Sequence, residues 1–202
     1  MPENSGTSQP TPPLRPRARW RLLRLPVLAR RWGRNWAFGA FAFVSGCISL
    51  GLVVLLPDAA HQPLAVPSLG PTAFLIFDYP RRPSASPRNA VFGHAIGIGA
   101  GYLALVVFGL GRAPSTLSGG LSAERAAAAG LSLGLTAGLM ALLNLPHPPA
   151  AATTLIVSLG FVTRPVEFGA LMGGVIIIVA EGFILDRLVG LGYPVWKPHR
   201  EP

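Results

Sequence analysis

The stretch NLPHPPAAATTLIVSLG contains the side chains of this chain that are best suited to chemistry. His147 is followed directly by Pro148 and Pro149, and two hydroxyl groups follow at Thr153 and Thr154. An imidazole takes up and releases a proton near neutral pH, and hydroxyls both donate and accept hydrogen bonds. Because about twenty apolar residues precede the stretch, we expect these groups inside a membrane rather than in a surface turn.

The prolines of this stretch indicate an interrupted helix. In hydrocarbon every backbone polar group needs a partner, so irregular backbone persists only within protein or beside a water-filled cavity. Proline has no backbone N–H but is tolerated in the first turn of a helix. The sequence therefore predicts a new helix that begins near Pro148 or Pro149, and VPSLGPTAFLIF predicts another that begins near Ser68 or Pro71.

Two new helix starts favour an anion site. A helix N-terminus presents unpaired N–H groups and about half a positive charge. Transporters built from repeats bind their substrate between such interrupted helices. The predicted substrate-binding residues are His147, Pro148, Pro149, Thr153, Thr154, Arg88, Asn89, His94, Ser68, Gly70 and Thr72, and the predicted proton-coupling residues are His147, His94 and Glu181.

The same side chains admit purely structural roles. His147 is equally well interpreted as a cap or cross-link of neighbouring backbone, and Arg88 as an ordinary interfacial arginine. Arg187 is expected to pair with Asp186, which makes Glu181 the more interesting acid of the last helix.

The composition indicates a membrane protein. Half of the 202 residues are hydrophobic and 12% are charged, and the mean hydropathy is +0.49. Two of the apolar segments are too short to cross a bilayer, since eleven helical residues reach only about 16 Å. We predict an all-α, polytopic membrane helix bundle with four long transmembrane helices (37–56, 90–111, 124–145 and 166–185) and two short half-helix or re-entrant segments (68–78 and 148–160).

The order long–short–long occurs twice, which indicates a possible internal two-fold repeat with halves 36–112 and 123–190. RNAVFGHAIG and RPVEFGALMG share four positions in register. Glycines also recur every fourth residue, which places them on one helix face and favours close packing; they are Gly93, Gly97, Gly101, Gly130, Gly134, Gly138, Gly169 and Gly173.

The basic residues crowd at the N-terminus, where eight of the 17 lie between Arg15 and Arg34. We predict residues 1–35 to be a disordered, Arg-rich cytoplasmic segment whose part from residue 15 onward binds anionic lipid headgroups, and 191–202 to be a short tail. We expect the protein in a bacterial inner (plasma) membrane, with both termini in the cytoplasm. Neither a nucleic-acid partner nor a cofactor is predicted, and a homo-oligomer is left open.

The path of the short segments is also left open. If they are re-entrant, Arg112 and Arg125 lie inside, and the arginines outside are Arg81, Arg82, Arg88 and Arg164. If they cross, the first three of these move inside, Arg112 and Arg125 move outside, and the two halves become inverted. The distribution of positive charge slightly favours crossing, whereas segment length favours re-entry, and we favour re-entrant or partly spanning segments.

PRNAVFGH (87–94) and LPHPPAAATTL (145–155), with the preceding SLGPTAFLIF, resemble the HPP family of integral membrane proteins. The family is named for the His-Pro-Pro that this chain carries from His147 to Pro149. The resemblance covers about 36–187, so 36–190 is interpreted as an HPP-type transmembrane domain.

The resemblance implies four transmembrane helices and, because plant and cyanobacterial relatives are associated with nitrite transport, transport of a small anion. The chain departs from the family at Pro71 and at Ala150-Ala151-Ala152, where a glycine is common after His-Pro-Pro. These departures indicate a narrower or differently shaped site, so the identity of the anion stays open.

Two further functions are weighed against transport. One is a membrane-embedded metal-dependent enzyme whose ligands come from His61, His94, His147, Glu181 and Asp58, although no two histidines have a local ligand spacing. The other is a scaffold or sensor subunit without transport, for which replacing His147 has no functional effect.

Overall fold

The computed structural model describes residues 24–55 and 67–198. A single turn of 3-10 helix, Pro83–Ala85, which we call the 310 turn, lies between two of the helices. The helices are α1 (Leu25–Trp32), α2 (Arg34–Leu55), α3 (Leu69–Asp78), α4 (Pro87–Val107), α5 (Thr116–Gly119), α6 (Ala123–Leu142), α7 (Pro149–Ser158) and α8 (Pro165–Leu188).

The predicted arrangement of four long and two short helices is confirmed in the described part of the chain. α2, α4, α6 and α8 are long and apolar enough to cross a membrane, and α3 and α7 have ten residues each. Proline occupies the first turn of α4, α7 and α8. The start of these helices follows from local chemistry, because proline needs no hydrogen-bond acceptor there.

α7 runs parallel to α4 and directly beside it. Gly93 of α4 lies against His147, just before α7, and Gly101 lies against Val157 near its end. The missing glycine side chains allow this approach, as the four-residue spacing predicts.

The chain reverses direction before and after α7. α6 is antiparallel to α7, since Thr136 contacts Thr154 while the earlier Arg125 contacts the later Ser158. α8 is in turn antiparallel to α4, because the ring of Phe168 packs on Tyr102 near the end of α4. α7 is thus a half-helix within a segment that carries the chain from one end of the bundle to the other.

The first half follows the same course. α2 and α3 are antiparallel, because Phe41 packs on Phe77 while Ser49 and Gly70 line one cavity farther along both helices. α3 then leads through the 310 turn into α4. The short segments therefore cross instead of returning, contrary to the preference for re-entry, since residues 79–86 after α3 and 143–148 before α7 add to the length of each half-helix.

The packing of the helices is two-fold symmetric. α2 packs on α3 as α6 does on α7, α4 packs on α6 and α7 as α8 does on α2 and α3, and α4 contacts α8. Exchanging α2, α3 and α4 with α6, α7 and α8 leaves this pattern unchanged. With three passes in each half, the second half is inverted relative to the first, which supports the predicted repeat.

The bundle has two ends of different charge. We call the end where α2 and α4 begin and α6 and α8 end the termini end, and the opposite one the loop end. Of the basic residues in the described part, three are at the loop end, namely Arg112, Arg125 and Arg164. The other nine are at the termini end: Arg24, Arg30, Arg31, Arg34, Arg81, Arg82, Arg88, Arg187 and Lys197.

Three further sequence expectations differ from the structure. The segment predicted as disordered includes helix α1, which is anchored because Leu25 is buried and its N–H donates to the Val189 carbonyl oxygen; residues 1–23 lie outside the described residues. The supposed tail packs into the fold through the buried Tyr193. The glycines at 130, 134 and 138 meet open space instead of another described helix.

Candidate functional site

Two histidines from different halves meet inside the bundle. The Nε2 atoms of His94 and His147 are 3.2 Å apart, and both side chains are fully buried. The Thr72 hydroxyl in the first turn of α3 lies 2.8 Å from His94 Nε2 and 3.4 Å from His147 Nε2. His94 is three residues from the midpoint of α4 at Gly97, so we call these two imidazoles, at about half the depth of the bundle, the histidine pair.

Small residues and a rigid turn position the pair. A Cβ on Gly93 would lie 2.8 Å from His147 Cβ, so only glycine fits at this point. His147 Nδ1 is 2.8 Å from the Ser84 carbonyl oxygen of the 310 turn. The buried Asn89 amide donates to the carbonyl oxygens of Pro83 and Pro146, at 3.0 and 3.5 Å, and so joins this turn to the segment before His147.

The partners of the histidine pair determine its proton positions. A carbonyl oxygen only accepts, so His147 Nδ1 carries the hydrogen and, in a neutral ring, Nε2 is an acceptor. His94 Nε2 then donates toward His147 Nε2 and the Thr72 oxygen. His94 Nδ1 is left to accept from the Thr153 hydroxyl at 2.6 Å. Two neutral imidazoles therefore satisfy every contact, and the Thr72 hydroxyl donates to the Ser68 carbonyl oxygen at 3.1 Å.

The backbone at the start of α7 offers fewer free donors than the sequence predicts. Pro148 and Pro149 have no N–H, while the N–H groups of Ala150 and Ala151 donate to the carbonyl oxygens of His147 and Pro148, both at 3.0 Å. The first turn thus satisfies its own donors. Any anion contact at this helix end has to come from the imidazoles, the hydroxyls and the helix dipole.

Several predicted residues lie outside the histidine pair. The Thr154 hydroxyl contacts Thr136 at 2.7 Å, Gly70 lines a separate cavity, and Pro148 lines an apolar groove. The Arg88 N–H donates to the Trp196 carbonyl oxygen at the termini end, about two turns below His94. Glu181 contacts Ser49 rather than a histidine.

Two buried polar atoms near the histidine pair have no hydrogen-bond partner in the described part of the chain, namely Ser68 Oγ and Asn89 Oδ1. A buried unpaired polar atom costs about 1–3 kcal/mol. Each is therefore available to a bound water or ligand that supplies the missing partner.

No group of three or more His, Cys, Asp or Glu side chains among residues 24–55 and 67–198 is arranged to hold a metal ion. The ligand candidates His61 and Asp58 lie outside the described residues. The metalloenzyme alternative thus gains no support from His94 and His147.

The family described as "HPP, transmembrane region" matches residues 33–194, which include the histidine pair and all four long helices. The chain belongs to the HPP family. It is also 30% identical over 148 residues to a Dictyostelium discoideum protein named as a transmembrane protein. The match covers 69% of this chain and 47% of the relative, so the chain spans about half of that protein's length. No solved structure matches the chain.

Sequence reasoning missed residues whose importance depends on long-range contacts. The buried Arg125 guanidinium donates to the carbonyl oxygens of Ser158, Ala113 and Pro114 at 3.2, 3.0 and 2.7 Å, so it neutralises the C-terminal end of α7. Residues 126–145, which follow Arg125, are mostly apolar and contain no acidic residue. The sequence therefore does not indicate that Arg125 is buried or what it binds.

The expected ion pair between Arg187 and Asp186 is wrong. Adjacent residues on a helix point about 100° apart. The Arg187 guanidinium lies over the Phe183 ring and donates to the Tyr193 carbonyl oxygen. Both carboxylate oxygens of Asp186 lack a hydrogen-bond partner among the described residues.

Proposed function

We propose that the chain is an integral membrane transporter or channel for a small monovalent anion such as nitrite. Membership of the HPP family and the four membrane-spanning helices support the membrane part of this function. Transport of a small anion is the function that the family resemblance implies. The inverted halves and the interrupted helices agree with it, since repeat transporters bind substrates where such helices meet.

The observation that carries the proposal is the buried histidine pair. An ionisable group within a membrane protein is costly and most often functional. His94 and His147 come from different halves and meet at mid-depth, where Thr72 and Thr153 add hydroxyl groups. A small anion with several acceptor atoms suits this set of donors.

The proposed mechanism uses protonation of the pair. In the neutral state the two rings satisfy each other, and neither imidazole has a donor left for an anion. A proton added at His147 Nε2 turns the internal acceptor into a donor and creates a positive charge. A lower local pH therefore strengthens anion binding, and a small separation of the two halves exposes the ligand to one end of the bundle.

The charge of the two ends supports an orientation. Nine of the twelve described basic residues lie at the termini end, which the positive-inside rule places in the cytoplasm. We further propose that Arg30 and Arg31, exposed on α1, bind anionic headgroups there. Arg88 at the same end attracts anions toward the bundle without contacting the histidine pair.

Anion flux into proteoliposomes tests the proposal. Uptake of nitrite, nitrate, chloride and formate is measured for the wild type, His147→Ala and the control Cys47→Ser, whose side chain is exposed. We expect uptake of at least one anion, a loss of about tenfold or more in His147→Ala, and no change in the control. Absence of uptake by the wild type, or full uptake by His147→Ala, overturns the proposal.

A further inference from the structure

α8 carries two carboxyl groups that are buried and incompletely paired. Asp186 is fully buried and neither of its carboxylate oxygens has a hydrogen-bond partner in the described part of the chain. Glu181 is 6% exposed; its Oε2 accepts from the Ser49 hydroxyl, and its Oε1 has no partner among the residues that the structure describes. The two groups lie five residues apart on α8, and we call them the carboxyl pair.

The charged groups around the carboxyl pair bind elsewhere. The Arg187 side chain points toward Tyr193 and Phe183. Two arginines approach the chain just after α8, Arg24 at Gly190 and Arg81 at Gly192. From α2 the Ser49 hydroxyl donates to Glu181, and Asp186 has no hydrogen bond to an arginine among the described residues.

The environment of the carboxyl pair favours a proton as its ligand over a metal cation. An unpaired carboxylate in an apolar interior costs several kcal/mol, and binding a proton removes the charge. A hard metal cation needs about six oxygen ligands. The described part of the chain offers two carboxyls and one hydroxyl here, and that hydroxyl already donates to Glu181.

A cavity gives the carboxyl pair a connection to the half-helix α3. It has a volume of about 180 Å³ and lies between α2, α3 and α8. Ser49, the partner of Glu181, lines one side, and Leu69 and Gly70 at the start of α3 line another. A cavity of this size has room for several water molecules, and Ser49 is the polar side chain of its lining.

We propose that Glu181 and Asp186 form a proton-binding site, separate from the histidine pair, that carries one proton with each transported anion. The proton comes from water, binds a carboxylate oxygen of the pair and returns to water on the other side. A monovalent anion and a proton together move no net charge. The coupling rests on the proposed anion transport, whereas the proton site itself does not.

The 310 turn links the two sites. The Tyr193 hydroxyl donates to the Ala85 carbonyl oxygen at 3.0 Å, and the neighbouring Ser84 carbonyl accepts from His147. Burial, and next the Asp186 carboxyl, raises the pKa of the Tyr193 phenol, so this donor stays protonated. A change of charge at Asp186 acts on Tyr193 and through the turn on the acceptor that orients His147.

Infrared spectroscopy of the purified protein tests the proton site without any transport assay. We expect a C=O stretch of a protonated carboxyl group at neutral pH, which weakens in Glu181→Gln and in Asp186→Asn and is unchanged in Glu124→Gln, a control at an exposed acid. No such band between about pH 5 and 9, or a band that both variants leave intact, overturns the site. Stabilisation by sodium but not by choline chloride overturns it as well, since a metal cation then occupies the pair.

Proton movement in proteoliposomes tests the coupling. A pH-sensitive dye inside the vesicles is expected to report proton uptake with anion uptake for the wild type and Glu124→Gln. In Glu181→Gln/Asp186→Asn the proton signal should fall by at least about tenfold while downhill anion flux persists. Wild-type anion flux without proton uptake overturns the coupling. An infrared band together with no anion flux contradicts the proposed function and leaves the proton site standing.

Discussion

His94 Nε2 and His147 Nε2 lie 3.2 Å apart, although the two residues belong to opposite halves of an inverted repeat. α4 of the first half packs against α7 of the second, and this contact holds both rings. A rocking motion of one half against the other therefore has to change this distance. The histidine pair is thus a buried polar contact between the two halves of the bundle.

Two neighbouring threonines provide a matched test of this centre. Thr153→Val removes the donor to His94 Nδ1, which leaves a buried acceptor unpaired at a cost of about 1–3 kcal/mol. Thr154→Val removes the contact with Thr136 and the bond to the Ala150 carbonyl oxygen, neither of which involves a histidine. We expect anion flux to fall by about tenfold in Thr153→Val and to stay near the wild-type value in Thr154→Val. Equal flux in both variants argues against a role for His94.

The glycines of α4 and α6 give opposite expectations for stability. A Cβ on Gly101 would lie 2.7 Å from Val157 Cβ and 2.8 Å from the Thr154 carbonyl oxygen. Gly101→Ala should therefore cost about 1–3 kcal/mol through overpacking. Gly134→Ala meets open space and should stabilise α6 by up to about 1 kcal/mol. Unfolding in mixed detergent micelles measures both, and a stable Gly101→Ala protein disproves the close contact of α4 with α7.

Local chemistry explains how much of this fold is predictable from the sequence. The long helices follow from uninterrupted apolar runs, and the starts of α4, α7 and α8 follow from Pro87, Pro149 and Pro165. The sequence placed Thr72, Thr153 and His94 in one predicted binding site. It did not predict that the two threonines contact His94. The Ser84 carbonyl and Arg125 were missed, because their roles depend on which helices become neighbours.

Arg125 gives a prediction about the far end of α7. Arg125→Gln breaks up to three charge-assisted hydrogen bonds to carbonyl oxygens and should lower the free energy of unfolding by about 3 kcal/mol. Arg125→Lys should recover only part of this, since an ammonium group lacks the planar fork. The control Arg112→Gln changes an exposed side chain and should stay within about 0.5 kcal/mol of the wild type. Thermal unfolding of the detergent-solubilised proteins measures all three.

The course of the short helices predicts which loops share a side of the membrane. Because α3 and α7 cross, Arg82 lies at the termini end with the N-terminus, and Leu117 lies at the loop end, where its side chain is 87% exposed. In a Cys47→Ser background, Leu117→Cys in intact cells should react with a membrane-impermeant maleimide. Arg82→Cys should react only after the membrane is permeabilised.

The same labelling experiment separates crossing from re-entrant segments. With the N-terminus held in the cytoplasm by its arginines, re-entrant segments would reverse the result, so that Arg82→Cys reacts in intact cells and Leu117→Cys does not. A cysteine introduced at Arg164, which is exposed at the loop end, should react like Leu117→Cys. Accessibility of the Arg82 position from outside contradicts the inverted repeat, and with it the meeting of two half-helices at His94 and His147.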